Sequence, residues 1–346
     1  MEPVTDHRDR ISSSEPSEAA SARPSPFHAG EQSLQLRVGI RARLEEIGQR
    51  VIRDYMPDQH RELFEKLPFL VLGAADSAGQ PWAGLVAGQP GFVTTTSTRM
   101  AIGAVPDAAD PMAGLFRVGA PVGVLGIELT SLMISIAVKN TVRLNGIIAS
   151  HDGAGIAITV EQSFGNCPKF IQRRTIRQIE RPNPPATRIE GKRLSVEAQA
   201  LIAAADTFFI ASWNPPLAER GAGVDVSHRG GKSGFVRVDE SDGHTVLTVP
   251  DFNGNGFFNT LGNLSLDHRC GLLFLDFVRG DQVQIVARAE IMWEGAELDA
   301  FDGAERLLRL TIEHGLFRPA SLPFESEITE FSPHLAHTGG WSTSEV

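Results

Sequence analysis

The chain is poor in cysteine, has no basic block and contains no long unbroken apolar run. Cys167 and Cys270 are the only cysteines in 346 residues. They fall in different predicted domains, so a disulfide scaffold is excluded and reduced thiols in a cytoplasmic protein are expected. Neither belongs to a metal-ligand spacing, and His334 and His337 have such a spacing without a third ligand. The 32 basic and 42 acidic residues give a net charge of −10. Without a cluster to neutralise phosphates, nucleic acid is not an expected partner. The apolar stretch from 122 to 138 is broken by Glu128 and by small or polar residues, so no membrane span is predicted. Gly-x-Ser-x-Gly, Walker, His-Glu-x-x-His and first-strand Gly-x-Gly-x-x-Gly motifs are also missing.

What is present is apolar patterning for about two domains. Residues 1–33 are Ser-, Glu-, Pro- and Ala-rich, lack the apolar core of a signal peptide and are expected to be disordered. Leu36, Ile40, Leu44, Ile47 and Val51 have helical spacing within 34–55, and a shorter helix leads to Leu67-Pro68. Strands are predicted at 69–75, 82–87, 91–95, 100–105, 122–129, 142–150 and 155–160, joined by short turns. A Pro-rich linker covers 179–193. Ser195 then caps a helix to Ala205, and a second β series begins at Thr207. A final helix is expected from Glu297 to His314, with a loose tail over 331–346.

The two series follow one order. Each has Gly-Phe-Val (91–93 and 234–236), then a Gly-led apolar strand (Gly123-Val124-Leu125-Gly126 and Gly271-Leu272-Leu273-Phe274). Each then reaches an Arg-bearing strand around Arg143 or Arg288. The pattern reads as a degenerate tandem duplication, with domains at 34–178 and 194–330.

Chemistry concentrates between Val226 and Asp276. Ser227, His228, Arg229 and Lys232 precede a strand bearing Arg237, and Asn255, Asn259, Thr260 and Asn263 follow within a Gly-rich stretch. Glycines admit a close backbone approach, while hydroxyl, amide and cationic groups donate to phosphate oxygens. The competing readings are solvated surface cations, a turn histidine and turn-capping asparagines. This order, with Asn263-Leu264 before a strand, resembles the pyridoxamine-phosphate-oxidase-like FMN-binding split-barrel superfamily. The segment Gly165-Asn166-Cys167-Pro168-Lys169-Phe170-Ile171 resembles that of flavin-nucleotide-binding members. Asn166 before Cys167-Pro168 reads as a helix start, whose N–H groups favour an anion or flavin carbonyl.

The resemblance implies a mainly β fold with flanking helices, in which two tandem FMN-binding split β-barrels form an intrachain pseudo-dimer. Family members are usually dimers with FMN between barrels, and a homodimer of this chain is a further possibility. By resemblance, Ser227, Arg229, Lys232 and the 255–263 turn hold the FMN phosphate. Gln162 and Ser163 reach the ring edge, and Arg237, Gln162 and Lys169 are candidates to stabilise charge on the reduced ring. Thr260 stands where relatives often carry a basic residue, and Lys139 to Gly146 stand where tandem relatives carry an arginine run. The implied activity is FMN-dependent oxidoreduction between an electron donor such as NAD(P)H and a small molecule. Non-catalytic flavin or heme binding, electron relay to a separate reductase, and deazaflavin binding are the alternatives.

Overall fold

Short, almost fully buried apolar runs set the strands, and two antiparallel sheets with one strand order result. The computed structural model describes residues 24–130, 141–181, 183–215, 221 and 223–341. Helices α1 (Ala29–Arg37), α2 (Arg41–Val51) and α3 (Asp58–Lys66) lead into the first sheet. β1 (Phe69–Ala75) is buried at every position and returns through a tight turn into β2 (Pro81–Ala87). In that turn Asp76 Oδ1 accepts from the N–H groups of Ala78 and Gln80 at 2.8 and 2.9 Å, and Gly79 takes φ +77°. Local chemistry alone is enough to make this hairpin. Then follow β3 (Val93–Thr95), β4 (Arg99–Ile102), a 3-10 turn (Pro111–Gly114), β5 (Pro121–Ile127), β6 (Thr141–His151) and β7 (Ile156–Gly165). The sheet order is β2-β1-β5-β6-β7-β4-β3.

The short strands β8 (Arg173–Arg174), β9 (Arg177–Gln178) and β10 (Arg188–Glu190) precede α4 (Val196–Ala204), which Ser195 caps as expected. The second sheet comprises β11 (Thr207–Asn214), β12 (Gly223–Gly230), β13 (Arg237–Ser241), β14 (His244–Phe252), β15 (Arg269–Leu275), β16 (Gln282–Met292) and β17 (Ala304–Arg318). Helix α5 (Asn259–Leu266) precedes β15, and the short α6 (Ala296–Asp299) precedes β17. The order β12-β11-β15-β16-β17-β14-β13 repeats the first sheet strand for strand, and β10 adds to β17. β18 (Phe324–Glu325) and β19 (Ile328–Glu330) pair back onto β9 and β8. The fold is mainly β, and neither sheet closes on itself.

Register makes the repeat exact at its seam. Gly73 pairs with Ala83 and Gly123, and Ala211 pairs with Val226 and Gly271, so Gly123 and Gly271 are equivalent. A Cβ on Gly123 would lie 2.6 Å from the Val224 carbonyl oxygen, and one on Gly271 would lie 2.5 Å from that of Pro81. Val224 and Pro81 are themselves equivalent in register. Each half's fifth strand is therefore crossed by the other half's second strand at a point where only glycine fits. Around the crossing Phe69, Val71 and Leu125 pack against Phe209, Val226 and Leu273 in one shared core. Each such residue contributes about 1.5–3 kcal/mol by leaving water.

Several expectations are corrected. The predicted helix over 297–314 is mostly β17. Leu308, Leu310 and Ile312 are buried and alternate with less buried Arg309, Thr311 and Glu313, a period of two that outweighs their helix propensity. The single helix over 34–55 is two, because Gly39 turns at φ +75°, and helix α1 begins inside the segment expected to be disordered. The residues from Asn166 to Lys169 are not helical. The linker ends in β10. The tail is docked as far as Trp341, whose Nε1 donates to the Phe235 carbonyl at 2.8 Å. Residues 1–23, the stretch from Leu132 to Asn140 and residues 342–346 lie outside the described residues. Among the described residues no helix is long and apolar enough to cross a membrane.

Gly271→Ala is expected to lower unfolding free energy by about 2 kcal/mol, since the clash is with the Pro81–Trp82 backbone across a packed seam. Gly114→Ala, in open space, is the control expected within about 0.5 kcal/mol of wild type. Urea denaturation measures both, and equal midpoints would refute the close crossing.

Candidate functional site

The seam opens on one side into a cleft of about 590 Å³. Its walls come from both halves: Leu44 and Ile47 of α2, Thr141 and Arg143 at the start of β6, and the segment after β7. Opposite stand Ser227, His228 and Arg229 of β12, then Asp251, the 253–258 loop, the first turn of α5 and Arg306. The loop is shaped locally. Asn255 Oδ1 accepts from Phe257 N–H at 3.0 Å, Gly256 takes φ +74°, and Phe258 is held left-handed at φ +63° just before α5. Phe170 on the facing wall is also left-handed at φ +63°. Such a conformation costs an L-residue about 1–2 kcal/mol and tends to be kept where a site needs it.

Beneath the cleft lies a buried polar network that ties the halves together. Asp225 accepts from Arg143 at 3.0 Å and Asn145 at 2.7 Å, both on β6, and from Asn263 of α5 at 2.9 Å. Asp225, Ser227 and Arg229 alternate along β12 and so share one of its faces. Ser227 accepts from Arg143, and Thr260 donates to Ser227 at 2.8 Å. Asn259 donates to Glu31 of α1, which also receives His28 N–H at 2.9 Å. Burial, reinforced by the Asp225 carboxylate, raises the Glu31 carboxyl well above the usual range.

Charge at the cleft is opposite to that of the chain. Arg43, Arg143, Lys169, Arg229 and Arg306 line it against Asp251 and Glu305. Asp251 is shared, pairing with Arg229 and lying 3.0 Å from Arg306. Arg306 also lies over the rings of Phe258 and Trp293, at 5.0 and 5.2 Å. His228 is kept neutral: burial, then Arg229 and Arg174, bring its pKa down to about 3. Among the described residues, five buried lining atoms have no hydrogen-bond partner: Thr141 Oγ1, Arg143 Nε, His228 Nε2, Arg229 Nε and Arg306 Nε, the last still 3.0 Å from Asp251. Orphaned buried donors in a cationic cleft suit an oxygen-rich anion.

Seven of the twelve residues singled out in the sequence line this cleft: Ser227, His228, Arg229, Lys169, Asn255, Asn259 and Thr260. Asn263 sits behind it, donating to Ser212 at 3.0 Å as well as to Asp225. Gln162 is buried and donates to the Pro26 carbonyl at 3.1 Å, and Ser163 meets His60 Nδ1 at 2.8 Å. Lys232 donates to the Thr338 carbonyl at 2.5 Å, and Arg237 is paired with Asp239 and Glu297 and stacked on Trp341. Sequence reasoning missed the α2 wall, Thr141 and Arg306. Arg306 was hidden by the helical reading of its strand.

No protein-family model matches the chain, and no curated protein does. Among solved structures, HupZ of Group A Streptococcus is 12% identical, over 40% of this chain and 98% of its own, with a TM-score of 0.27. HutZ, the heme storage protein from Vibrio cholerae, is 13% identical over 37% and 95%, with a TM-score of 0.25. An FAD-binding protein from Mesorhizobium loti is 15% identical over 40% and 100%, also at 0.25. Likenesses this slight carry no argument about fold or ligand.

The two perturbed groups act on stability in opposite directions. Glu31 binds its proton more tightly folded than unfolded. Its contribution is complete below the unfolded pKa of about 4.3 and is lost as pH rises through the raised folded value. Glu31→Gln should therefore gain stability relative to wild type between pH 4 and pH 8 in urea melts; a constant difference would refute a raised Glu31. His228 stays neutral folded, so its contribution is present above about pH 6.5 and falls away toward pH 3. In His228→Leu that acid-side loss should shrink.

Proposed function

We propose that the chain is a flavin-nucleotide-binding protein, with residues 34–178 and 194–330 forming two split-barrel units of the pyridoxamine-phosphate-oxidase-like type and one FMN held between them. The observation that carries this reading is the cationic cleft with orphaned buried donors, set at the seam of two sheets of identical strand order. Its volume lies in the ordinary range for small-molecule sites, about 300–1,000 Å³. Lys169 and Arg43 stand at the rim as phosphate-binding cations. Ser227 and Asn259 supply neutral donors, Thr260 orienting the Ser227 hydroxyl, and Phe170, Phe252 and Phe258 offer ring faces. FMN bound there supplies two-electron redox chemistry, between a donor such as NAD(P)H and a small-molecule acceptor. The chain's own part is binding and orientation, with Arg143 and Arg229 opposing negative charge that develops nearby.

A second reading, heme binding, is favoured by His228. It is the one histidine among the described cleft-lining residues, and its neutral ring has an unpartnered Nε2, the state in which imidazole ligates iron.

Absorbance of the purified chain, with mass spectrometry of the released small molecule, separates the two. Bands near the flavin maxima with a mass of FMN are expected. A Soret band abolished in His228→Ala would replace flavin by heme, and a colourless chain that does not take up added FMN would sink both. Lys169→Ala should weaken FMN binding about tenfold in a fluorescence titration, the loss of one charge-assisted contact. Its tie to Asn253, at 2.9 Å, is exposed, so the fold should be unaffected.

A further inference from the structure

The two seams of the duplicated fold offer an internal comparison. Gly123 pairs with Asn145 and Gly271 with Val286, and following both ladders makes Thr141 equivalent to Gln282 and Arg143 to Gln284. On the second strands, the pairings of Leu72 with Gly84 and of Ile210 with Ser227 make those two positions equivalent. His228 and Arg229 then correspond to Leu85 and Val86.

The second seam is filled. A Cβ on Gly84 would meet Met112 Cγ at 2.6 Å, so the 3-10 turn occupies the place that lies open beside Ser227. Asp110 caps that turn through Met112 N–H at 2.8 Å and pairs with Arg318 at 2.8 Å. The amide nitrogens there are spent within the chain. Gln284 Nε2 donates to the Ala83 carbonyl at 3.0 Å and to Asp110 at 3.1 Å, and Gln282 Nε2 donates to Ser321 at 2.9 Å.

The open seam differs at these same two positions. Thr141 and Arg143 are 1% and 2% exposed, lie two residues apart on one face of β6 and line the cleft. Arg143 uses its terminal nitrogens on Asp225 and Ser227. Its Nε and the Thr141 hydroxyl have no partner. Desolvating such groups unpaired costs about 1–3 kcal/mol each, and native chains rarely leave them so without reason.

We propose that Thr141 Oγ1 and Arg143 Nε form a first-half subsite that binds an acceptor oxygen, phosphate or carbonyl, of a ligand otherwise held by the second half. The chain then has one composite site, because the equivalent donors in the other seam are spent within the chain, where the one orphan at these two positions is an acceptor, Gln282 Oε1. This rests on the reading of the cleft as an anionic-ligand site and goes beyond it in naming which half reads the ligand.

Thr141→Val removes the hydroxyl and keeps the shape. It should weaken FMN binding about tenfold, while Thr141→Ser stays within about threefold of wild type. The ligand-free melting temperature of Thr141→Val should equal or exceed that of wild type, since an unpaired buried hydroxyl is removed. Calorimetry should give one FMN per chain. Unchanged FMN affinity in Thr141→Val, or two FMN per chain, would overturn the proposal. So would a lower melting temperature of ligand-free Thr141→Val, which would reveal a partner inside the chain. A wild-type chain that fails to bind FMN sinks the cofactor reading, and the melting-temperature comparison still decides the role of Thr141.

Discussion

The reciprocal glycine crossing governs most of what the molecule can do. Where β12 passes over Gly123, its backbone touches β5, and no side chain larger than hydrogen is admitted. The next residue, Asp225, is thereby pressed beside β6, where Arg143 and Asn145 reach it. Two and four residues further on, the pleat brings Ser227 and Arg229 to the same face, at the mouth of the cleft. A crossing set a few ångströms wider would leave Asp225 solvated and the cleft without a floor. The buried ion pair is better regarded as a register pin than as a source of stability, because desolvation offsets much of its attraction.

The repeated strand order allows one seam to be the proposed site while the other is scaffold. The crossing is needed twice, and its glycines occur in both halves. On the proposed reading, donors are needed only once. At positions equivalent to Ser227, His228 and Arg229 the first half carries Gly84, Leu85 and Val86, and Met112 fills the space. Trp82 packs edge-on to His314 at 5.7 Å where the open seam has Asp225 and Gln162. Helix α5 and the 3-10 turn occupy the same place in the strand order, between fourth and fifth strands. The longer one leaves a cleft and the shorter one plugs it.

Local features of this architecture were legible in the sequence, and long-range ones were not. The strand at 69–75, its Asp-Gly turn and the Ser195 cap depend on neighbours in the chain and were read correctly. So was the shared order of the halves, because Gly123 and Gly271 are marked by what surrounds them. The strand through Arg309 failed because Leu, Arg and Glu suit helices and only its pairing with β14 and β16 makes it β. Lys232 and Arg237 looked available only because Thr338 and Trp341 lie about a hundred residues away. Arg229 looked like a free phosphate ligand because nothing in one dimension brings Asp251 to it. The wall built by α2 was invisible for the same reason.

An acidic chain thus maintains a cationic cleft by distribution, not by number. Asp225 and Glu31 lie behind the donors, and Asp251 is divided between two arginines. Each carboxylate orients a cation or amide without facing the opening alone. On the proposed reading a bound anion completes this balance from the solvent side, contacting β6 in one half and β12 in the other. Binding and seam closure are then one equilibrium: a ligand at a hundred times its Kd adds about 2.7 kcal/mol to the native state. That gain falls on the seam, where the orphaned donors of both halves otherwise oppose it.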